Sequence, residues 1–315
     1  MFIQILFILI GFTLLIKGAD FLVDGSNAIA KKLHISEIVI GLTIVSVGTS
    51  MPELFVSTTS AIEGYSDISI GNIIGSNICN LLLILGLSAL IRPLEFQNQT
   101  KLIENPMSIF LTLIFLIICN INQNINRYEG LILIGLFCLF LTYTIIMAKR
   151  NQQDVILQFS NEKSKKISIF KNTMLILLGI ILLKLGSELV VENAKRIAIT
   201  LSVSEKVIGL TIVAIGTSLP ELVTSVTAAI KGDSDIAIGN IVGSNIFNML
   251  LIVGVSAVIN PISYNITYNF QMLILFIGMA MITFFPFVKP KNKLSRFEGL
   301  LFVLLYIFYT IKLFF

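Results

Sequence analysis

Charge is what this sequence has least of: Asp, Glu, Lys and Arg make up 13% of its 315 residues, against roughly 25% in a soluble globular domain. That shortage excludes an ordinary water-soluble protein. Cysteine is scarce too, and Cys79, Cys119 and Cys138 all sit inside apolar runs with no C-x-x-C pair, which excludes a zinc or disulfide framework. The chain has one histidine, His34, beside Lys31 and Lys32 in what reads as a surface loop. With no H-E-x-x-H pair, no phosphate-binding loop and no nucleophile with a partnered base, nothing points to an enzyme, and no cofactor is expected. A net charge of +4 from 22 basic and 18 acidic side chains is too diffuse for nucleic-acid binding, which needs a concentrated basic face. The apolar start, residues 2–16, has neither a basic leading region nor a small-residue cleavage site, so it reads as a membrane segment rather than a signal peptide.

What the sequence does contain is apolar length. Hydrophobic residues make up 56% of the chain, and a membrane-crossing helix consumes about 20 of them. Ten such segments fit, near residues 2–30, 36–62, 67–91, 106–119, 130–147, 173–198, 204–230, 235–259, 270–288 and 299–315. The expected fold is therefore an all-α membrane protein. Its units are a five-helix repeat over 1–148, a polar linker over 149–171 carrying Lys163, Lys165 and Lys166, and a second five-helix repeat over 172–315.

The division into halves rests on an internal repeat. Residues 41–93 align with 209–261 at a constant offset of 168, with 36 identities in 53 positions and no gap. The match continues weakly upstream, where Gly18 faces Gly186, Asp20 faces Glu188 and Asp24 faces Glu192; downstream, Arg127-Tyr128-Glu129-Gly130 resembles Arg296-Phe297-Glu298-Gly299 one residue out of step. Five crossings per copy, an odd number, set the second copy upside down relative to the first, the inverted-topology plan of many secondary transporters.

The residues that carry chemistry lie inside this repeat. Segment 2 holds Gly48-Thr49-Ser50-Met51-Pro52-Glu53, and segment 7 its copy, Gly216-Thr217-Ser218-Leu219-Pro220-Glu221. An acid at the centre of a spanning helix costs about 3 kcal/mol on insertion scales, so it marks a functional site by default. Pro52 and Pro220 lack the N–H that would bond the carbonyls of Gly48 and Gly216, and carbonyls freed at membrane depth can coordinate a cation. Thr49 lies four residues before Glu53 and Ser50 three, so these oxygens share one helical face. Segments 3 and 8 add Gly71-Asn72 through Asn80 and Gly239-Asn240 through Asn248, with Ser76 and Asn80, and likewise Ser244 and Asn248, at i and i+4. Glycines four apart in these segments let neighbouring helices approach closely. Asn72, Asn77, Asn240 and Asn245 read equally well as caps of half-helices or as ligands. Asp20, Asp24, Glu188 and Glu192 read as interfacial acids, with Lys184 and Glu188 a possible i to i+4 pair. Together the site offers two carboxylates with amide, hydroxyl and carbonyl oxygens and no sulfur or imidazole. That set suits a hard cation, calcium taking six to eight oxygens at ~2.3–2.6 Å.

With these signatures present in both halves, the chain resembles the calcium/cation antiporter superfamily, specifically the prokaryotic sodium/calcium exchanger branch with its two alpha repeats. The resemblance spans all ten segments. It implies exchange of Na+ for Ca2+ by alternating access, with segments 1 and 6 as the moving pair. Glu53 and Glu221 would be the central metal ligands, joined by Thr49, Ser50, Thr217, Ser218, Ser76, Ser244, Asn80 and Asn248 and by carbonyls near Ser46 and Ala214. In potassium-dependent relatives an acid stands at the position matching Asn248; asparagine at both 80 and 248 therefore implies potassium independence. Proton-coupled calcium antiport and a passive cation channel are the alternatives. The partners implied are Ca2+, Na+ and the lipid bilayer, with no nucleic acid and no obligate protein partner.

Orientation follows from the placement of Lys and Arg. Connections after segments 1, 3, 5, 7 and 9 hold 15 of them: Lys31, Lys32, Arg92, Lys101, Lys149, Arg150, Lys163, Lys165, Lys166, Lys171, Lys231, Lys289, Lys291, Lys293 and Arg296. The other side holds five: Arg127, Lys195, Arg196, Lys206 and Lys312. The expected location is the cell membrane, multi-pass, with the linker cytoplasmic and both termini outside. An epitope placed at either terminus should be labelled by an impermeant reagent on intact cells; labelling only after permeabilisation would reverse the topology.

Overall fold

The computed structural model describes residues 2–150, 168–201, 214–288 and 291–314. The chain folds as an all-α membrane protein. Its helices are α1 (Phe2–Leu33), α2 (Glu37–Thr49), α3 (Met51–Ile62), α4 (Ser66–Ile91), α5 (Thr100–Ile121), α6 (Arg127–Arg150) and α7 (Ile169–Thr200). These are followed by α8 (Ala214–Thr217), α9 (Leu219–Lys231), α10 (Ser234–Ile259), α11 (Ile266–Phe287) and α12 (Arg296–Phe314). Seven are individually long and apolar enough to cross a membrane, and α2 with α3 makes an eighth span bent by 50°. The middle of the expected linker, residues 151–167, and the start of expected segment 7, residues 204–213, lie outside the described residues.

The most extensive contact is between α1 and α7, the first helix of each copy. They run antiparallel and meet through glycine. A methyl group on Gly179 would lie 2.7 Å from the Gly18 carbonyl oxygen, and one on Gly186 would lie 2.8 Å from that of Gly11. Gly11 and Gly18 are the repeat counterparts of Gly179 and Gly186, so each copy offers its own glycine pair to the other. The same exchange recurs at Gly86 against Gly299 and Gly130 against Gly254. Without a hydrophobic driving force in lipid, such small-residue contacts are how spanning helices associate.

Local signals set the helix ends. Ahead of α6, Asn126 Oδ1 accepts from the backbone N–H of Tyr128 and Glu129 while Glu129 Oε2 accepts from the N–H of Asn126 at 2.8 Å, a reciprocal capping box. Ser295 and Glu298 repeat it ahead of α12. The R-Y-E-G and R-F-E-G resemblance is thus a cap followed by a packing glycine. After α4 and α10, Arg92 and Asn260 are extended, as residues before proline tend to be. Two-residue strands follow α4, α5, α10 and α11: β1 (Leu94–Glu95), β2 (Asn124–Ile125), β3 (Ile262–Ser263) and β4 (Lys293–Leu294). β1 pairs with β4 and β2 with β3, both antiparallel and both across the halves. The α5 helix begins six residues before Pro106, because a π turn over Thr100–Glu104 precedes it and Pro106 occupies the first turn of the following α-helix, where a missing N–H costs nothing.

The glycine contacts make a direct test. Gly179→Ala drives a methyl into backbone on α1 and should destabilise the detergent-solubilised protein by about 1–3 kcal/mol, the range for overpacking, seen as a lowered Tm. Gly135→Ala, where no described atom lies within 4 Å of the added methyl, should leave Tm unchanged.

Candidate cation site

Both proline-bearing segments break at a serine. Ser50 separates α2 from α3, and Ser218 separates α8 from α9, with backbone angles of φ −83°, ψ 11° and φ −87°, ψ 7°. Pro52 and Pro220 fall in the first turn of the helices that follow, so the interruption lies two residues before each ring rather than at it. Glu53 and Glu221 stand just inside α3 and α9, both fully buried.

The spacing argument expects each glutamate to work with hydroxyls of its own helix. The contacts of Ser50 and Ser218 instead cross between copies. Ser50 Oγ donates to Glu221 Oε1 at 2.8 Å, and Ser218 Oγ donates to Glu53 Oε1 at 3.3 Å. Thr49 donates to Asn240 Oδ1 at 2.9 Å and, more loosely, to the Ser46 carbonyl at 3.3 Å. Ser76 reaches Glu53 Oε1 at 3.3 Å, whereas its counterpart Ser244 donates to the Ser46 carbonyl at 3.4 Å. The Ser46 carbonyl therefore already accepts hydrogen bonds. Ser46, Thr49, Ser50, Ser76, Ser218 and Ser244 are buried, Thr217 is half-buried, and Ala214 opens the α8 stub.

Four asparagines fill the space between α4 and α10. Asn77 Nδ2 donates to the Asn245 carbonyl and Asn245 Nδ2 to the Asn77 carbonyl, both at 3.2 Å. Asn80 Nδ2 donates to Asn245 Oδ1 at 3.2 Å, and Asn248 Nδ2 donates to Asn77 Oδ1 at 3.0 Å. Spacing within one helix could not reveal this clasp. Its only trace in the sequence is that both asparagines recur at the 168-residue offset. Asn72 and Asn240 neither cap nor point at a carboxylate oxygen: their Nδ2 groups donate to Ser57 Oγ (3.0 Å) and Ser225 Oγ (2.9 Å).

This bonding leaves a symmetrical remainder. Glu53 Oε2, Glu221 Oε2, Asn80 Oδ1 and Asn248 Oδ1 are buried and have no partner among the described residues. A buried polar atom without a partner costs about 1–3 kcal/mol, more when charged, and native proteins retain few of them. Here four occur as two repeat-related pairs. All are acceptors, and no ion pair of either glutamate with Lys, Arg or His is present among the described residues. Such a site has nothing to offer an anion and everything a cation lacks.

Comparison with known proteins agrees with this chemistry. The family described as sodium/calcium exchanger protein matches residues 3–146 and again residues 171–315. The chain belongs to the sodium/calcium exchanger family. It is 37% identical to a putative antiporter, CaxA, from Alkalimonas amylolytica, covering 100% of this chain and 99% of that one. It is 31% identical to the sodium/calcium exchanger MaX1 of Methanosarcina acetivorans, covering 99% of each. The solved sodium-calcium exchanger NCX_Mj, soaked with Na+ and Ca2+, superposes with a TM-score of 0.83 at 34% identity over 97% of both chains.

Proposed function

We propose that this exchanger-family protein is an antiporter that trades Na+ for Ca2+, without potassium, by alternating access across ten helices arranged as two inverted five-helix repeats. The observation that carries the reading is the set of four buried, unpartnered oxygens from Glu53, Glu221, Asn80 and Asn248. Two carboxylates balance one divalent cation or two monovalent ones. The loadings exclude each other because they use the same oxygens, and that competition is what couples the two ions.

The same burial opposes movement without cargo. Two adjacent carboxylates held out of water without a cation pay a desolvation cost of several kcal/mol each. A loaded site removes that cost, so reorientation is favoured only with an ion aboard. A ligand shifts a conformational equilibrium only through different affinity for its two states, and here occupancy itself supplies the difference. Ser50, Ser218 and Ser76 hold one oxygen of each carboxylate, and the other oxygen is left for the ion. Asn80 and Asn248 are neutral, so the cage has no third acid to demand an additional potassium ion.

The α1–α7 pair supports the moving part of the proposal. Lys231, at the end of α9, bonds Asp20 Oδ1 at 3.0 Å and Asp24 Oδ1 at 2.8 Å, tying α1 down at the lysine-rich side. Asn27 donates to Asp233 Oδ2 at 2.6 Å beside it. The repeat counterparts cannot do this: Glu63 replaces Lys231, while Glu188 and Glu192 pair within α7 with Lys184 (3.8 Å) and Arg196 (3.4 Å). Among the described residues the tether therefore exists at one end only.

Sodium-loaded proteoliposomes diluted into sodium-free buffer should accumulate calcium-45, with no dependence on added potassium, and Glu53→Gln or Glu221→Gln should reduce uptake to background. Uptake driven only by a proton gradient would move the chain to proton-coupled antiport, and flux without counter-ion-driven accumulation would make it a channel. In a cysteine-free background, joining Asp24→Cys to Lys231→Cys with a short thiol-specific linker should arrest exchange until the linker is cleaved. Full exchange with the linker intact would remove the sliding of α1.

A further inference from the structure

The asparagine clasp determines which side chains the cage accepts. Asn77 and Asn245 each commit Nδ2 to the other's backbone carbonyl at 3.2 Å. That commitment fixes how each carboxamide is turned, so Oδ1 can only accept. What it accepts is the amide N–H of the neighbouring copy: Asn248 Nδ2 reaches Asn77 Oδ1 at 3.0 Å, and Asn80 Nδ2 reaches Asn245 Oδ1 at 3.2 Å. The second pair of carboxamides is thereby turned as well, nitrogen to the clasp and oxygen to the remainder that no described residue satisfies. All four side chains are buried, so water cannot substitute for a missing donor at low cost.

We propose that Asn77 and Asn245 are positioning residues that set the specificity of the cation site by admitting a carboxamide, and excluding an ionised carboxylate, at positions 248 and 80. The proposal deepens the exchange reading and rests on the cage assigned there. Its reason is a donor count. A carboxylate at 248 carries no N–H for Asn77 Oδ1, and it would set a negative oxygen about 3 Å from an acceptor that cannot turn away without releasing the Asn245 carbonyl. The charge of the cage is then held at two by residues outside it. Asn80 faces Asn245 under the same rule, so the restriction is two-fold, as the cage is.

The test is a double-mutant cycle on the purified full-length chain, read as Ca2+-dependent thermal stabilisation, which reports binding without requiring transport. Asn248→Asp alone should weaken apparent Ca2+ affinity about tenfold or more, the scale of an orphaned buried acceptor. Asn77→Ala removes that acceptor, so N77A/N248D should recover most of the loss and bind Ca2+ more tightly than N248D. A residue that served only to pack the helices would make the double variant worse than either single one. Additive losses in the cycle would overturn the proposal, as would unchanged affinity in N248D. If N248D fails to fold, the mirror cycle of Asn80→Asp with Asn245→Ala carries the same expectation, and folding restored in N77A/N248D would itself support the clasp. Sodium-driven uptake by the wild type is measured beside it. Its absence with an intact cycle would refute the exchange reading and leave the clasp standing, whereas uptake with an additive cycle would do the reverse.

Discussion

Two carboxylates and two carboxamide oxygens are buried at the meeting of the copies, and none of the described basic side chains pairs with either carboxylate. The rest of the architecture is adjusted to that deficit. A membrane interior offers no water to repair it, so every donor nearby has to be accounted for. The hydroxyls of Ser50 and Ser218 go to one oxygen of each opposite glutamate, and the four asparagine amides go to one another. What these glutamates and asparagines leave over among the described residues is acceptor alone, in two matched pairs.

Producing that remainder requires backbone to be irregular in a place where irregularity is costly. The breaks at Ser50 and Ser218 are tolerated because they are enclosed by α4 and α10, which are the most thoroughly buried spans. Wide π turns over Cys79–Ile84 and Phe247–Ile252 contain Asn80 and Asn248, two of the four members of the asparagine clasp, and single turns of this kind recur at functional sites. Close packing makes the enclosure possible. Gly239 and Gly243 bring α10 against α2 so closely that a methyl on Gly243 would lie 2.7 Å from both the Leu42 carbonyl and Ser46 Oγ. The glycines thus place the serines and asparagines within hydrogen-bond reach of each other.

The sequence made the duplication and the two acids legible, because a 168-residue offset and a carboxylate in an apolar run are both visible in one dimension. Glycine pairing was legible as a tendency. Partners were not. The i to i+4 relation between Thr49 and Glu53 holds on an unbroken helix, but the break at Ser50 redirects that face, and Thr49 finds Asn240 191 residues away. Helical spacing describes neighbours on one helix, while here Thr49, Ser50, Ser218, Asn77 and Asn245 find their partners in the other copy. The start of α5 at Thr100, ahead of the expected 106–119, was hidden for a simpler reason, since Pro106 looks like a helix start and the preceding π turn has no period of its own in the sequence. The strand pairs were invisible because two residues carry no alternation.

The departures from two-fold symmetry carry as much meaning as the symmetry. Ser76 bonds a carboxylate while Ser244 bonds the Ser46 carbonyl, and Asn240 is fully buried while Asn72 is only partly so. On the lysine-rich side α1 is tied to α9 through Lys231, and the corresponding acids of α7 are spent on their own helix. A strictly symmetric molecule would hold the cage at the same distance from both membrane faces and could favour neither. Sequence differences outside the cage, Lys231 against Glu63 above all, supply a bias without altering the ligands. The exposed Lys231 pairs are weak individually, at about 0–1 kcal/mol each. If the protein alternates as proposed, a tether of that strength can tilt the equilibrium between two nearly equivalent arrangements and still release within the cycle, which a buried, fully desolvated pair could not do.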